Sequence, residues 1–224
     1  FFTLPEDGRI YRDWKEGGHG DTNLFKAITQ SSNTYFFDLA YRSDINQLNK
    51  HLSSLGFGDK ACIDCFEEDQ VFVPEPSWKM NKHNFGWFKG DTVNMGVGQG
   101  YLVSTPIQLA KYAYIMANKG KFSDLSLKKD LVKSEKSIEF NKFSNDDWFK
   151  LHESMVNVIE GNTGTARRLR EKKNYIVAAK TGTAELVSGD NREQYSETRL
   201  DDSLRDHALI IAFGPMPNPR YAVS

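Results

Sequence analysis

The chain has 224 residues, of which 39% are hydrophobic and 26% are charged, and its formal net charge is −1. A chain of this length and composition can bury the core of one large domain, which excludes wholesale disorder. The balanced charge gives no electrostatic basis for binding nucleic acid, and without a run of about 18 apolar residues no transmembrane helix is predicted.

Two helices that meet at a polar junction are the first elements predicted in chain order. Residues 1–21 are rich in glycine and charge and are expected to form a loop, after which Asp21 or Thr22 can cap a short helix. The triplet Ser-Ser-Asn at 31–33 interrupts that helix, and a second helix with an apolar face follows. The triplet is therefore expected where polar side chains can project into a cleft. Residues 45–55 have helical periodicity and predict a third helix.

The middle of the chain predicts one well-defined helix after an irregular region. Residues 56–91 contain many glycine, proline and aromatic residues without a clear period, so we expect no regular elements there. Thr105 suits an N-cap, Pro106 the first helical position and Gln108 a capping box. A helix is therefore predicted to begin here, with Gly120 as its C-terminal stop.

The last part of the chain predicts a helix followed by a sheet. Residues 121–144 are polar and rich in lysine and are expected to form an exposed linker, after which Ser144 caps a helix that stops at Gly161. Three strands are then expected at 175–180, 207–213 and 220–224, and the second of them is expected to be buried. A charged loop is expected at 185–206, between the first two strands. This order indicates an α+β fold, with helices packed on an antiparallel sheet.

The triplet at 31–33 contains groups that acyl transfer requires. Transfer through a serine needs a base, a proton relay to the leaving amine and donors for the oxyanion. The hydroxyl of Ser31 can relay a proton if Lys180 faces it across the cleft, and the side-chain amide of Asn33 can hold a substrate amide. A Ser-x-Asn triplet alone is weak evidence, because it usually marks a turn or a helix cap.

The second motif, Lys-Thr-Gly-Thr at 180–183, closes a predicted strand. Lys180 supplies a cation, and the hydroxyls of Thr181 and Thr183 supply hydrogen bonds, a combination that suits a terminal carboxylate. The N–H of Thr183 can serve the oxyanion if the strand lies at a sheet edge, and Gly182 lets a substrate approach the backbone closely. A Lys-Thr-Gly run alone is often only a strand end, so the prediction depends on both motifs occurring in this order.

The two cysteines, Cys62 and Cys65, form a single C-x-x-C. Such a pair is typical of half a zinc site or of a redox pair, but no second pair with ligand spacing accompanies it. We interpret both cysteines as small apolar residues of a strand or turn. A local disulfide is the alternative if the protein is exported.

Several longer stretches resemble one protein family. In chain order they read YRDWKEGGHGDTNLFKAITQSSNTYFFDLAY, GDTVNMGVGQGYLVSTPIQLA, EGNTGTARR, AAKTGTAEL and DHALIIAFGPMPNP. They resemble the transpeptidase domain of class B penicillin-binding proteins, most closely the penicillin-binding protein 2 type of wall elongation. GQGY-x-x-x-TP-x-QLA and KTGTAE are specific to such enzymes. The resemblance implies the penicillin-binding/β-lactamase-like transpeptidase fold.

That resemblance implies a serine-type peptidoglycan D,D-transpeptidase that needs no cofactor and no metal. Its substrates would be peptidoglycan stem peptides, and β-lactam antibiotics would acylate the same serine. The second family motif maps onto Ser31 and Asn33, and the third onto residues 180–183. The resemblance also implies partners among cell-wall elongation proteins, no nucleic acid, and a periplasmic location with an inner-membrane anchor in a segment outside this chain.

The first family motif, a Ser-x-x-Lys with the nucleophile, has no counterpart before Ser31, because residues 1–30 contain no serine. Serines near lysines at 123–136 begin no apolar helix, so we interpret them as surface residues. We therefore expect residues 1–224 to be a partial transpeptidase domain, with the nucleophile segment and a C-terminal strand and helix outside the chain. The alternatives are a non-catalytic scaffold module and a serine β-lactamase or D,D-carboxypeptidase, for which no deacylating glutamate is identified.

Some members of the family have a zinc site built from two aspartates, a histidine and a cysteine. Asp13 and His19 match two of these positions, and Ser32 replaces the cysteine. A serine hydroxyl is a poor ligand for Zn²⁺. We therefore predict that Asp13 and His19 order their loop through hydrogen bonds.

Overall fold

A computed structural model describes the chain at residues 1–129, 131, 134–138, 143–172, 174–185 and 205–224. Its helices are α1 (Leu24–Gln30), α2 (Asn33–Arg42), α3 (Ile45–Ser54), α4 (Pro76–His83), α5 (Lys89–Met95), α6 (Pro106–Ala117) and α7 (Asn145–Glu160). Its strands are β1 (Phe2–Thr3), β2 (Ile10–Tyr11), β3 (Lys121–Phe122), β4 (Lys136–Ser137), β5 (Ala178–Ala184), β6 (His207–Gly214) and β7 (Tyr221–Val223). None of the helices in these stretches combines the length and hydropathy that a membrane span requires.

The polar junction at 31–33 lies between two helices, as predicted. Helix α1 begins after Asn23, whose side chain accepts a hydrogen bond from the Lys26 N–H at 2.9 Å. The cap is therefore Asn23, and the prediction of Asp21 or Thr22 was wrong. All three residue types cap helices well, so the local sequence did not distinguish them. Helix α2 begins at the last residue of the triplet.

The starts of helices α6 and α7 confirm two further predictions that were based on capping. Thr105 and Gln108 form a capping box at the start of α6, and Ser144 and Asp147 form one at the start of α7. Each box satisfies backbone N–H groups that the first helical turn leaves unpaired. Both helices contribute to the core against the sheet, which includes Ile115, Met116, Trp148, Met155 and Phe213.

The three longer strands form an antiparallel sheet in the order β5-β6-β7, which confirms the α+β prediction. Strand β5 lies at one edge of this sheet and pairs Thr183 with Ala208. The expectation that β6 is buried was wrong for its first half, since Leu209 is 41% exposed while Phe213 is 1% exposed. Only the C-terminal half of β6 is covered by the core.

Three regions predicted to lack regular structure contain defined elements, and the first of them is residues 1–21, where β1 pairs with β2. Residues 56–91 include α4 and the start of α5, and a nearly buried ion pair between Lys79 and Asp91 joins these two helices. Periodicity in a short window does not report such a tertiary contact. In the segment 121–144, β3 pairs with β4. The charged loop predicted at 185–206 lies largely outside the described residues.

Cys62 and Cys65 are joined by a disulfide, with their Cα atoms 5.3 Å apart. The preferred interpretation of two small apolar residues was wrong, and the alternative is the one found. Asp64, inside the disulfide loop, accepts hydrogen bonds from the N–H groups of Leu127 at 2.9 Å and Lys128 at 3.1 Å. The three side chains at 62, 64 and 65 are close enough to hold a metal, but the two sulfurs are bonded to each other and the carboxylate already has donors.

Candidate active site

Ser31 ends helix α1 in a backbone conformation that residues other than glycine rarely adopt. Its φ of 56° and ψ of 50° lie in the left-handed region. Strain of this kind persists only where the surrounding structure holds it, and it concentrates at functional sites. Here the indole N–H of Trp14 donates to the Ser31 carbonyl at 2.9 Å, and the Ser31 N–H donates to the Ile28 carbonyl at 3.3 Å.

Strand β5 brings Lys180 to the same place. The Lys180 Nζ donates to the Ser31 Oγ at 2.7 Å and to the Thr181 carbonyl at 2.7 Å. The ammonium group is largely buried, and this desolvation lowers the pKa of Lys180 from 10.5 to about 8. A group whose pKa lies near the ambient pH can both give and accept a proton. The pair therefore has the composition of a proton relay.

Among the strands that the structure describes, only β6 pairs with β5, so the edge of β5 next to this pair has no neighbouring strand. The Thr183 carbonyl accepts a hydrogen bond from Gln99 Nε2 at 2.8 Å and therefore faces away from β6. In an antiparallel strand the N–H and C=O of one residue point to the same side, so the Thr183 N–H faces this edge too. Thr183 and Gly182 are both exposed. A backbone donor is thus available where a substrate carbonyl could lie.

Among the described residues, no neighbour is close enough to Gly182 to exclude a larger side chain. A Cβ built there would lie 3.8 Å from the Leu209 Cβ, which is an ordinary van der Waals distance. Gly182 itself is exposed. This favours the expectation that a ligand approaches the backbone of β5 closely at this residue.

The Thr181 hydroxyl meets a partner that was not among the predicted site residues. Thr165 Oγ1 lies 2.6 Å from Thr181 Oγ1, and either hydroxyl can be the donor. Thr165 belongs to the EGNTGTARR stretch, which resembles the family but to which the resemblance assigned no site residue. The sequence around Thr163 and Thr165 contains nothing that predicts which strand these threonines contact.

Asn33 occupies the first position of α2 and is half-buried. Between it and Ser31 lies Ser32, which is 2% exposed and donates to Asp13 Oδ2 at 3.3 Å. The structure therefore places Ser31 and Asn33 on either side of an anchored residue. The contact of Asn33 with a substrate amide stays a prediction.

The loop before α1 is attached to this triplet through Asp13. Its Oδ2 accepts hydrogen bonds from the Thr34 N–H at 2.9 Å and the Thr34 hydroxyl at 3.0 Å, and its Oδ1 lies 3.0 Å from His19 Nε2. Burial would raise the pKa of Asp13, but the hydrogen bonds from Thr34 and His19 outweigh it and lower the pKa below 3.8. The prediction that Asp13 and His19 order the loop by hydrogen bonding is confirmed.

One later serine has the four-residue spacing of the nucleophile motif, Ser126 with Lys129. The Ser126 hydroxyl donates to Asp64 Oδ2 at 2.9 Å and lies 3.0 Å from the Lys128 carbonyl. It therefore serves the connection to the disulfide loop. This agrees with the interpretation of the serines at 123–136 as structural surface residues.

Comparison with known proteins gives consistent matches over the chain. The family model described as the penicillin binding protein transpeptidase domain matches residues 2–224. Peptidoglycan D,D-transpeptidase MrdA of Haemophilus influenzae is 36% identical over 100% of this chain and 36% of its own length. The MrdA of Acinetobacter baumannii is also 36% identical, over 100% of this chain and 34% of its own length. The chain thus spans about a third of the length of these curated relatives.

Solved structures show the same similarity in three dimensions. A crystal structure of Pseudomonas aeruginosa PBP2 in complex with WCK 5153 matches with a TM-score of 0.84 and 33% identity, over 100% of this chain and 48% of that one. A complex between PBP2 and MreC from Helicobacter pylori matches with a TM-score of 0.84 and 31% identity, over 95% of this chain and 37% of that one.

Proposed function

Because this chain belongs to the penicillin-binding protein transpeptidase domain family, we propose that the protein containing it is a peptidoglycan D,D-transpeptidase that acts through a serine acyl-enzyme. The observation that carries the proposal is the 2.7 Å hydrogen bond from Lys180 Nζ to Ser31 Oγ, beside the open edge of β5. The curated relatives named peptidoglycan D,D-transpeptidase support the same reaction.

In the first step, a nucleophilic serine attacks the carbonyl carbon of the penultimate D-alanine of a stem peptide. This serine would come from a part of the protein outside these 224 residues, which form a partial transpeptidase domain. An ester bond forms and the amide bond to the terminal D-alanine breaks. The proton that the serine loses reaches the departing amine through Ser31 and Lys180, so the step neither gains nor loses a proton.

The remaining site residues hold the donor peptide. Lys180 and the hydroxyls of Thr181 and Thr183 bind its terminal carboxylate, and the Thr183 N–H stabilises the oxyanion that forms at the attacked carbonyl. Asn33 orients the peptide through its amide. Gly182 allows the peptide to lie against the strand backbone.

In the second step, an amine of another stem peptide attacks the ester carbonyl. A new peptide bond forms, the ester bond to the serine breaks, and the proton lost by the amine returns to the serine oxygen. A β-lactam presents a comparable amide and carboxylate, so it should acylate the same serine. The ring-opened product remains attached and the enzyme is blocked.

We place the protein in the periplasm, attached to the inner membrane by a segment outside these residues, with wall-elongation proteins as partners. The Cys62–Cys65 disulfide supports an oxidising compartment. The Helicobacter pylori complex of PBP2 with MreC supports a partner of that kind. Protease access to the protein in spheroplasts, before and after lysis, tests the location.

The deciding experiment is intact-mass spectrometry of the full gene product with benzylpenicillin. The wild type should gain the mass of one benzylpenicillin, and Lys180→Ala should acylate about 10²–10⁴-fold more slowly. Lys150→Ala is a matched control, because Lys150 lies exposed on α7 and pairs with Asp146, one turn earlier in the same helix. Equal rates for Lys180→Ala and wild type would contradict the proposal.

Other outcomes of the same experiment identify the alternatives. Repeated turnover of a chromogenic β-lactam would indicate a β-lactamase or carboxypeptidase. A wild-type protein that forms no adduct would indicate a non-catalytic scaffold.

A further inference from the structure

The loop at 161–166, which follows α7, contacts both halves of the site. The Thr163 hydroxyl accepts a hydrogen bond from Gln30 Nε2 at 3.1 Å, and Gln30 is the residue before the relay serine. Two residues further on, the Thr165 hydroxyl lies 2.6 Å from that of Thr181. One short loop therefore touches the end of α1 and the strand that contributes the lysine.

This loop is packed tightly against the end of α7. A Cβ built at Gly164 would lie 2.3 Å from the carbonyl oxygens of both Asn157 and Val158, closer than real atoms approach. The Ala166 N–H donates to the Val158 carbonyl at 2.9 Å. The two threonine hydroxyls are therefore held on a backbone that leaves little freedom to shift.

The geometry decides which hydroxyl must be the donor when a carboxylate is bound. A hydroxyl has one hydrogen to donate and two lone pairs that accept. If Thr181 donated its hydrogen to Thr165, none would remain for a carboxylate, which can only accept. If Thr165 is the donor, it occupies a lone pair of Thr181 and leaves the Thr181 hydrogen available.

We propose that Thr165 is a positioning residue that donates to Thr181 and directs the Thr181 hydroxyl toward the carboxylate of a bound stem peptide or β-lactam. This inference rests on the proposed function, because it assumes that Thr181 binds that carboxylate. Thr165 itself touches no reacting atom. Its effect should therefore appear only with ligands that have a carboxylate.

The test compares acylation of the full gene product by benzylpenicillin and by benzylpenicillin methyl ester, which lacks the carboxylate. Thr165→Val keeps the shape of the side chain and removes the hydroxyl. The second-order rate constant with benzylpenicillin should fall about three- to tenfold, the usual effect of one lost hydrogen bond. The rate constant with the ester should stay at its wild-type value. Thr165→Ser, which retains the hydroxyl, should recover most of the benzylpenicillin rate.

A matched control is Thr3→Val, the same change at an exposed threonine of β1, which should alter neither rate.

The possible outcomes separate the inference from the proposed function. If Thr165→Val reacts with benzylpenicillin at the wild-type rate, the inference about Thr165 is wrong, but the proposed function stands because the wild type still acylates. An equal loss with the ester would overturn the inference too, because it would indicate general damage to the site. If Thr165→Val fails to fold, Thr165→Ala, which also removes the hydroxyl, takes its place: slowing with benzylpenicillin alone would support the inference, and equal slowing with both compounds would overturn it. A wild type that reacts with neither compound would contradict the proposed function, and the inference with it.

Discussion

The Nζ of Lys180 lies 2.7 Å from the Oγ of Ser31, although the two residues are 149 positions apart in the sequence. The contact joins the edge strand β5 to the end of α1. It also buries the ammonium group, and that burial lowers the pKa of Lys180 to about 8. We therefore expect both acylation and stability to depend on the protonation state of Lys180.

Acylation should depend on pH through Lys180. We expect the second-order rate constant of the full gene product with benzylpenicillin to fall as the pH rises through about 8, because a neutral Lys180 no longer attracts the carboxylate. This rate constant reports ionisations of the free enzyme. Lys180→Arg keeps its charge at these pH values and should lose the alkaline decrease. The same decrease in the arginine variant would assign it to another group.

The burial of Lys180 should also cost stability. Its pKa falls from 10.5 to about 8 on folding, so the penalty is complete below pH 8 and disappears as the pH rises toward 10.5. At about 1.4 kcal/mol per pKa unit this is roughly 3 kcal/mol, which the hydrogen bonds of Lys180 partly offset. We expect Lys180→Met to raise the free energy of unfolding at neutral pH by on the order of 1 kcal/mol while it slows acylation.

Urea denaturation of the full gene product at neutral pH and at about pH 10 measures this effect. The advantage of the methionine variant should shrink at the higher pH, because wild-type Lys180 is then largely neutral in the folded protein. A methionine variant that is less stable at neutral pH would show that the hydrogen bonds outweigh the desolvation.

Asp13 should stabilise the loop before α1 in its ionised form. Asp13→Asn retains the shape but loses the charge that Thr34 and His19 bond, so we expect a loss of about 1–3 kcal/mol at neutral pH. The folded-state pKa of Asp13 is below 3.8, so its contribution is present above 3.8 and is lost as the pH falls through the lower value. The stability difference from wild type, measured by urea denaturation, should therefore narrow at acid pH. A constant difference would argue that packing, not charge, is responsible.

His152 should make the domain sensitive to mild acid. It lies buried beside Phe213, with Nε2 2.9 Å from the Met116 carbonyl, and burial lowers the pKa of His152 below 6.5. The pKa of His152 is therefore higher in the unfolded chain than in the folded protein. As the pH drops below 6.5, protonation of His152 favours the unfolded chain, so stability falls. His152→Gln should remove part of this acid sensitivity in thermal melts, whereas His51→Gln, at an exposed position on α3, should retain it. If wild type, His152→Gln and His51→Gln lose thermal stability equally at mildly acid pH, His152 is not the source of the acid sensitivity.

The elements that were predicted well are those whose signals lie within a few residues. The capping boxes at Thr105 and Ser144 define the starts of α6 and α7, because the side chains that satisfy the first N–H groups are three residues from their partners. The three final strands followed from apolar runs bounded by turn residues. By contrast, α4 and α5 were missed, because the Lys79–Asp91 pair that connects them is a tertiary contact.

For the site, the sequence alone determined which residues have the right chemistry, namely the groups at 31–33 and 180–183, and their order in the chain. Only the tertiary structure decided that Lys180 meets Ser31, that Thr165 meets Thr181, and that the two cysteines pair. The physical reason is that a pKa shift and a hydrogen bond depend on distance and desolvation. Those quantities exist only once segments far apart in the chain have packed together.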